Sequence, residues 1–216
     1  MSLEVYADFV CPWCYLSEDR IRRLLGSAAT MAPIVWRPFQ LQPTLPAGGV
    51  ERTSFFAELF GSAANAAKAW ERVRRAGDAR GTTFRFDRMT REPNTLLAHR
   101  LVAIVALEEN PSRLVHALFR AHFEEGRDIG AIDTLADVAT ANGFDGQDLR
   151  RRLLTDEAHA SVTRAIEQAR RDGVSAVPTF RHRGRLVGGE LEDEEILGAL
   201  ATASARPPNG GGAPLG

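Results

Sequence analysis

The chain reads as an α/β protein whose sheet is assembled from both ends of the sequence around a large inserted helical domain. Three observations carry this. Apolar strand patterns occur near the N-terminus, over Leu3–Phe9 and Ile34–Leu41, with a helical stretch between them. A long run of helical periodicity follows, from about Thr53 to Asp172. After Gly173 the pattern changes to two short strand candidates and a last helix.

In order, Leu3–Phe9 is an apolar strand, and Pro12–Leu25 is a helix with Leu16, Ile21, Leu24 and Leu25 on one side. Pro43, Pro46 and Gly48-Gly49 end the strand at 34–41. The helical block divides into Phe55–Arg80, Asn94–Glu109, Ser112–Glu125, Asp133–Asn142 with an Asp cap, Gln147–Leu154 and Asp156–Asp172. Ala176–Arg181 and a strand begun by Leu186-Val187 flank a turn at Gly184, and Glu192–Leu200 is the terminal helix. These boundaries predict a core from residues 1–50 and 173–203, an inserted helical domain over 51–172, and a disordered Pro/Gly-rich tail over 204–216.

The 216 residues suffice for a core that needs no disulfide or metal staple. A net charge of −1 makes no case for nucleic acid or an acidic membrane surface as partner. Lys68 is the only lysine, a compositional bias of the kind a GC-rich genome imposes. No signal-peptide pattern opens the chain and no apolar run of about 18 residues occurs, so the expected location is the cytoplasm.

The two cysteines, Cys11 and Cys14, are the only ones. A structural disulfide across so short a loop is unusual in a reducing compartment, and two thiols cannot complete a four-cysteine zinc site. An inert buried pair and a soft-metal site such as Cu(I) are the competing readings, though no methionine lies near the pair. The motif stands where a strand hands over to a helix. Pro12 suits the first helical turn, and Cys11 falls at the helix N-terminus, where unpaired amides favour an anion. Such positions lower a cysteine pKa from ~8.5 into roughly 3.5–7.5. The chemistry this predicts is thiol–disulfide exchange. Cys11 forms a mixed disulfide and Cys14 resolves it, with Trp13 shaping access. The Val177-Pro178 bond at the start of a strand is either an ordinary trans proline or a cis proline. A cis proline would turn its neighbour's carbonyl and amide outward toward an extended substrate. The five histidines form no metal-ligand constellation, and no phosphate loop or nucleophile elbow occurs.

Asp8-Phe9-Val10-Cys11-Pro12-Trp13-Cys14-Tyr15, Pro93-Asn94-Thr95 with Ala98-His99-Arg100, Phe123–Ile129, Gly173–Phe180 and Gly188-Gly189 together resemble the DsbA-like thioredoxin superfamily, in particular its FrnE-type branch. The resemblance covers the chain to about Leu200. It implies a thioredoxin-like fold with a helical insertion, Cys11 as nucleophile, Cys14 as resolving cysteine, a cis Pro178 and Val177 beside the redox centre. The redox-active disulfide Cys11–Cys14 would be the only redox group, with no cofactor or metal. Glutathione is a candidate co-substrate. Partners would be disulfide- or dithiol-containing proteins or small molecules, acted on by a monomer or homodimer. The related 2-hydroxychromene-2-carboxylate isomerases and kappa-class glutathione transferases are similar around Asn94, which makes Asn94 a candidate substrate or glutathione contact. They typically carry serine at the first motif position and lack the second cysteine, so this chain departs from them. A glutathione-dependent isomerase or transferase and a non-catalytic chaperone-like module are the alternatives.

Overall fold

The computed structural model describes residues 3–26, 34–182, 184–189 and 191–204, the last six as helical backbone alone. Of the tail expected over 204–216, Ser204 instead ends a helix, and 205–216 lie outside the described residues.

Strand β1 (Leu3–Ala7) runs parallel to β2 (Ile34–Pro38), with Leu3 opposite Ile34 and Ala7 opposite Pro38. Helix α1 (Pro12–Leu25) is the crossover between them, as parallel pairing requires. On its other side β1 pairs antiparallel with β5 (Thr179–His182), which pairs with β6 (Arg185–Gly188). The sheet order is therefore β2-β1-β5-β6, with a strand from the chain's beginning beside one from its end. Leu3, Val5 and Phe180 are buried at its centre. Helix α9 (Asp193–Ser204) closes the chain and packs near β1, with Ile196 buried.

Between β2 and β5 run α2 (Arg52–Leu59), α3 (Ala63–Asp78), α4 (Leu96–Val105), α5 (Ser112–Phe123), α6 (Ile132–Ala141), α7 (Gly146–Leu153) and α8 (His159–Arg171). Helix α5 packs on α1, and α8 on β2 and α4. One buried apolar cluster joins Leu3, Val5 and Leu16 to Leu101, Leu118 and Phe119, so sheet and helices share a core. Side chains of Tyr15, Phe119 and Phe123 stack at its centre, with Tyr15–Phe119 and Tyr15–Phe123 ring centroids 5.5 and 5.8 Å apart.

The single helix expected over 55–80 is two. Gly61 takes φ +78°, and Ser62 accepts the Asn65 amide at 3.1 Å, so one helix stops and another is capped within three residues. Asp133 lies in the first turn of α6 rather than at its cap, which Ala131 occupies. Helix α8 begins at His159 rather than at 156, because residues 155–158 form a turn that ends with Ala158 at φ 61°. That turn presents the Thr155 and Glu157 carbonyls to the Arg100 guanidinium of α4. A two-residue ribbon, β3 (Val50–Glu51) with β4 (Arg91–Glu92), was not expected. It brings Arg52 and Glu92 together.

Candidate active site

β1 ends at Ala7, two residues before the expected Phe9. A tight turn follows, in which the Cys11 amide donates to the Asp8 carbonyl at 3.0 Å. Cys11 is the N-cap of α1, in extended conformation (φ −90°, ψ 111°), and Pro12 is the first helical residue. The Cys11 carbonyl accepts the amides of Cys14 and Tyr15 at 3.1 and 3.2 Å. Its side chain caps nothing, so the sulfur is left at the positive end of the helix dipole.

The sequence placed Cys14 one turn deeper than Cys11. Both prove buried as free thiols, at 4% and 2% exposure. Burial pushes the Cys14 thiol well above the ordinary cysteine range. The hydrogen bond and charge of Cys11 add to this, the Asp8 carboxylate adds further, and the Asp8 main-chain amide opposes it. Cys14 is therefore held as a thiol, and any step that needs its thiolate must remove a proton from the interior.

The Val177–Pro178 bond is cis. Val177 lies against Cys11, with the Cys11 thiol donating to the Val177 carbonyl at 3.4 Å. Four of the expected residues thus meet across 166 positions of sequence: Cys11, Cys14, Val177 and Pro178. Trp13 is half-buried against the core, and the Arg72 guanidinium of α3 lies 5.9 Å from its ring, so the helical insert reaches the motif. Asn94 is engaged in holding the chain in place. Its Oδ1 accepts from Gln40 at 2.9 Å and from the Leu96 amide at 3.0 Å, and its Nδ2 donates to the Leu45 carbonyl at 2.7 Å.

The core also holds a set of buried polar residues to which sequence reasoning assigned no role. Asp8 is wholly buried, and its Oδ2 accepts the Leu41 amide at 2.7 Å. His99 of α4 places Nε2 3.4 Å from Asp8 Oδ1. Arg52 donates to Glu92 at 2.7 Å, with both side chains at 7% exposure or less. Burial pushes the Glu92 carboxyl up to about 8; Arg52 opposes the rise and the Asp8 charge adds to it. The Arg52 guanidinium lies over the rings of Trp70, Phe56 and Phe86, at 4.3, 4.5 and 5.6 Å. His122 of α5 is buried edge-on to Phe123, and burial, then the Arg52 charge, hold it down at about 3. An acid in an apolar strand end, three residues before Cys11, was the one signal for Asp8 in the sequence. Glu92 and Arg52 gave none.

The DSBA-like thioredoxin domain model matches residues 2–201. The chain belongs to the DSBA-like thioredoxin family. A structure from Streptomyces coelicolor described as the probable DsbA oxidoreductase SCO1869 superposes with a TM-score of 0.78 at 24% identity, over 96% of this chain and 92% of that one. The cytosolic disulfide reductase DsbM from Pseudomonas aeruginosa, solved with GSH, gives a TM-score of 0.62 at 19% identity, over 94% of this chain and 95% of that one. An uncharacterized Bacillus subtilis protein, YwbO, is 24% identical over 185 residues, 83% of this chain and 86% of its own. This DSBA-like protein thus has the thioredoxin-type fold with a helical insertion. Among the described residues no helix is long and apolar enough to cross a membrane, and no three His, Cys, Asp or Glu side chains converge to hold a metal.

Proposed function

We propose that this DSBA-like protein is a FrnE-type thiol–disulfide oxidoreductase working through the Cys11-Pro12-Trp13-Cys14 dithiol. The observation that carries the reading is the placement of Cys11 Sγ between the N-terminus of α1 and the Val177 carbonyl, with Cys14 one turn along the helix. The Cys11 thiolate attacks a substrate disulfide and expels one thiolate, leaving a mixed disulfide. Cys14, deprotonated, attacks the Cys11 sulfur, forms the Cys11–Cys14 disulfide and releases the second substrate thiolate. Two electrons pass from the dithiol to the substrate, and the reverse sequence oxidises a substrate dithiol. Val177 and Pro178 border the sulfur where an extended substrate chain would lie, and Pro12 and Trp13 shape its approach. The substrates are disulfides or dithiols of proteins or small molecules. The cytoplasm is the proposed location, and glutathione the proposed thiol co-substrate. Support for both comes from a neighbour described as a cytosolic disulfide reductase and solved with GSH.

The test is insulin reduction with a recycling thiol. Cys11→Ser abolishes turnover, and Cys14→Ser accumulates mixed disulfides visible by mass spectrometry. Unchanged turnover in Cys11→Ser overturns the reading. Glutathione-dependent turnover that survives Cys14→Ser assigns an isomerase or transferase chemistry instead. Full chaperone activity in the double variant, with no redox turnover in the native chain, assigns a binding module.

A further inference from the structure

Resolution by Cys14 needs a route for a proton. Cys14 is sealed at 2% exposure and held as a thiol, so its proton cannot pass directly to solvent. The carboxylate whose charge acts on it is that of Asp8. One oxygen of that carboxylate is taken by the Leu41 amide. The other, Oδ1, is buried and faces His99 Nε2 at 3.4 Å, and neither atom has a hydrogen-bond partner among the described residues. His99 belongs to the Ala98-His99-Arg100 motif, yet it has no place in the exchange reaction as drawn above. Phe9 packs on its ring, with centroids 5.0 Å apart. His99 and Phe9 both line a cleft of about 580 Å³ between β2 and helices α4 and α5. Ala7, Trp36, Val102, Ala106 and Phe119 share its walls.

We propose that His99, acting through Asp8, is the proton outlet of Cys14, discharging into the cleft that His99 lines. The proposal rests on the dithiol reading above. In the resolving step the Cys14 S–H bond breaks and its proton passes to Asp8 Oδ1. The Cys14 sulfur bonds to the Cys11 sulfur, and the mixed disulfide's outer sulfur leaves with the electron pair. Asp8 passes the proton to His99 Nε2, and the imidazole releases one to water in the cleft. In the reverse direction His99 brings a proton in as Cys14 becomes a thiol. Oxidant and reductant are the substrate disulfide and the dithiol. Asp8 takes the proton from the thiol; His99 acts through it and is a positioning and proton-transfer residue. Other charged or titratable groups packed around this path are Glu92 on β4, Arg52 on α2 and His122 on α5.

The experiment mixes the reduced full-length chain with an aromatic disulfide that releases a coloured thiolate. Attack by Cys11 releases one equivalent and resolution by Cys14 releases the second, so the steps separate in time. In His99→Ala and Asp8→Asn the first release is expected to persist and the second to slow by about 100-fold, the usual scale of a lost general acid–base group. Imidazole in solution, reaching the vacated His99 position through the cleft, restores the second release in His99→Ala and leaves Asp8→Asn slow. The pH profile of the second release changes in His99→Ala and keeps its shape in Glu92→Gln. A second release of native rate in both relay variants overturns the outlet. So does a pH profile that follows Glu92→Gln, or slowing that imidazole leaves untouched. A native chain with no second release at all overturns the dithiol reading instead.

Discussion

Replacing Glu92 with glutamine tests how the buried Arg52–Glu92 pair is held. In the folded chain burial raises the Glu92 carboxyl from 4.5 to about 8, despite the Arg52 guanidinium at 2.7 Å. The folded protein therefore keeps a proton that the unfolded chain has lost throughout that window. Stability is complete below the unfolded value and falls as pH rises through the folded one. At about 1.36 kcal/mol per pKa unit, the loss is on the order of 4–5 kcal/mol between pH 4.5 and 8. Glutamine keeps an oxygen for Arg52 to donate to and has no proton to lose, so Glu92→Gln lacks this decline. Arg52 keeps its aromatic surroundings in both forms. The assay is urea unfolding of both proteins at intervals from about pH 4.5 to 8. The expected result is convergence at the acid end and a Glu92→Gln chain more stable by several kcal/mol at the alkaline end. Parallel profiles across the window refute the reasoning, because they mean that the carboxyl is ionised in the fold and the pair is a salt bridge.

His122 produces the opposite slope. Held neutral down to about 3 against an ordinary 6.5, it adds stability that is lost as pH falls through that range, so His122→Phe is expected to flatten the acid limb of the same titration. Gly146→Ala would place a Cβ 2.3 Å from the Ala136 carbonyl and 2.1 Å from Thr140 Oγ1, where α6 and α7 meet. A loss of more than about 2 kcal/mol is expected in thermal unfolding, a fall of roughly 4–8 °C in Tm. Leu101→Ala, at a wholly buried position shared by sheet and helices, is expected to lose about 2–5 kcal/mol with a single cooperative transition retained. Two separated transitions would show that the insert unfolds by itself.

Helix α1 was legible, because a proline at its first position and an apolar stripe running to about Leu25 mark both ends. The break in the 55–80 helix was also written there, as Gly61-Ser62, but apolar periodicity on both sides masked it. Other features depend on partners far along the chain. β2 stops at Pro38 because the strand then turns in toward β1: the Phe39 amide donates to the Ala7 carbonyl and the Leu41 amide to Asp8. The β3–β4 ribbon pairs two residues with two others some forty positions away, too short to give any alternation. For the site, local spacing revealed Cys11 and Cys14 because their chemistry is local. The approach of Asp8 to His99 joins a strand end to a helix 91 positions on, and no periodicity in either segment announces it.

The strand that leads into the dithiol is made well before its sheet neighbour β5. The Val177 carbonyl that meets Cys11 Sγ is 166 residues downstream. At roughly 5–20 residues per second, that interval lasts on the order of ten to thirty seconds of synthesis. During it the two thiols are already present, while the strand that completes the sheet around them is not. The nascent chain therefore meets the oxidants of its surroundings with both thiols before the carbonyl that faces Cys11 exists.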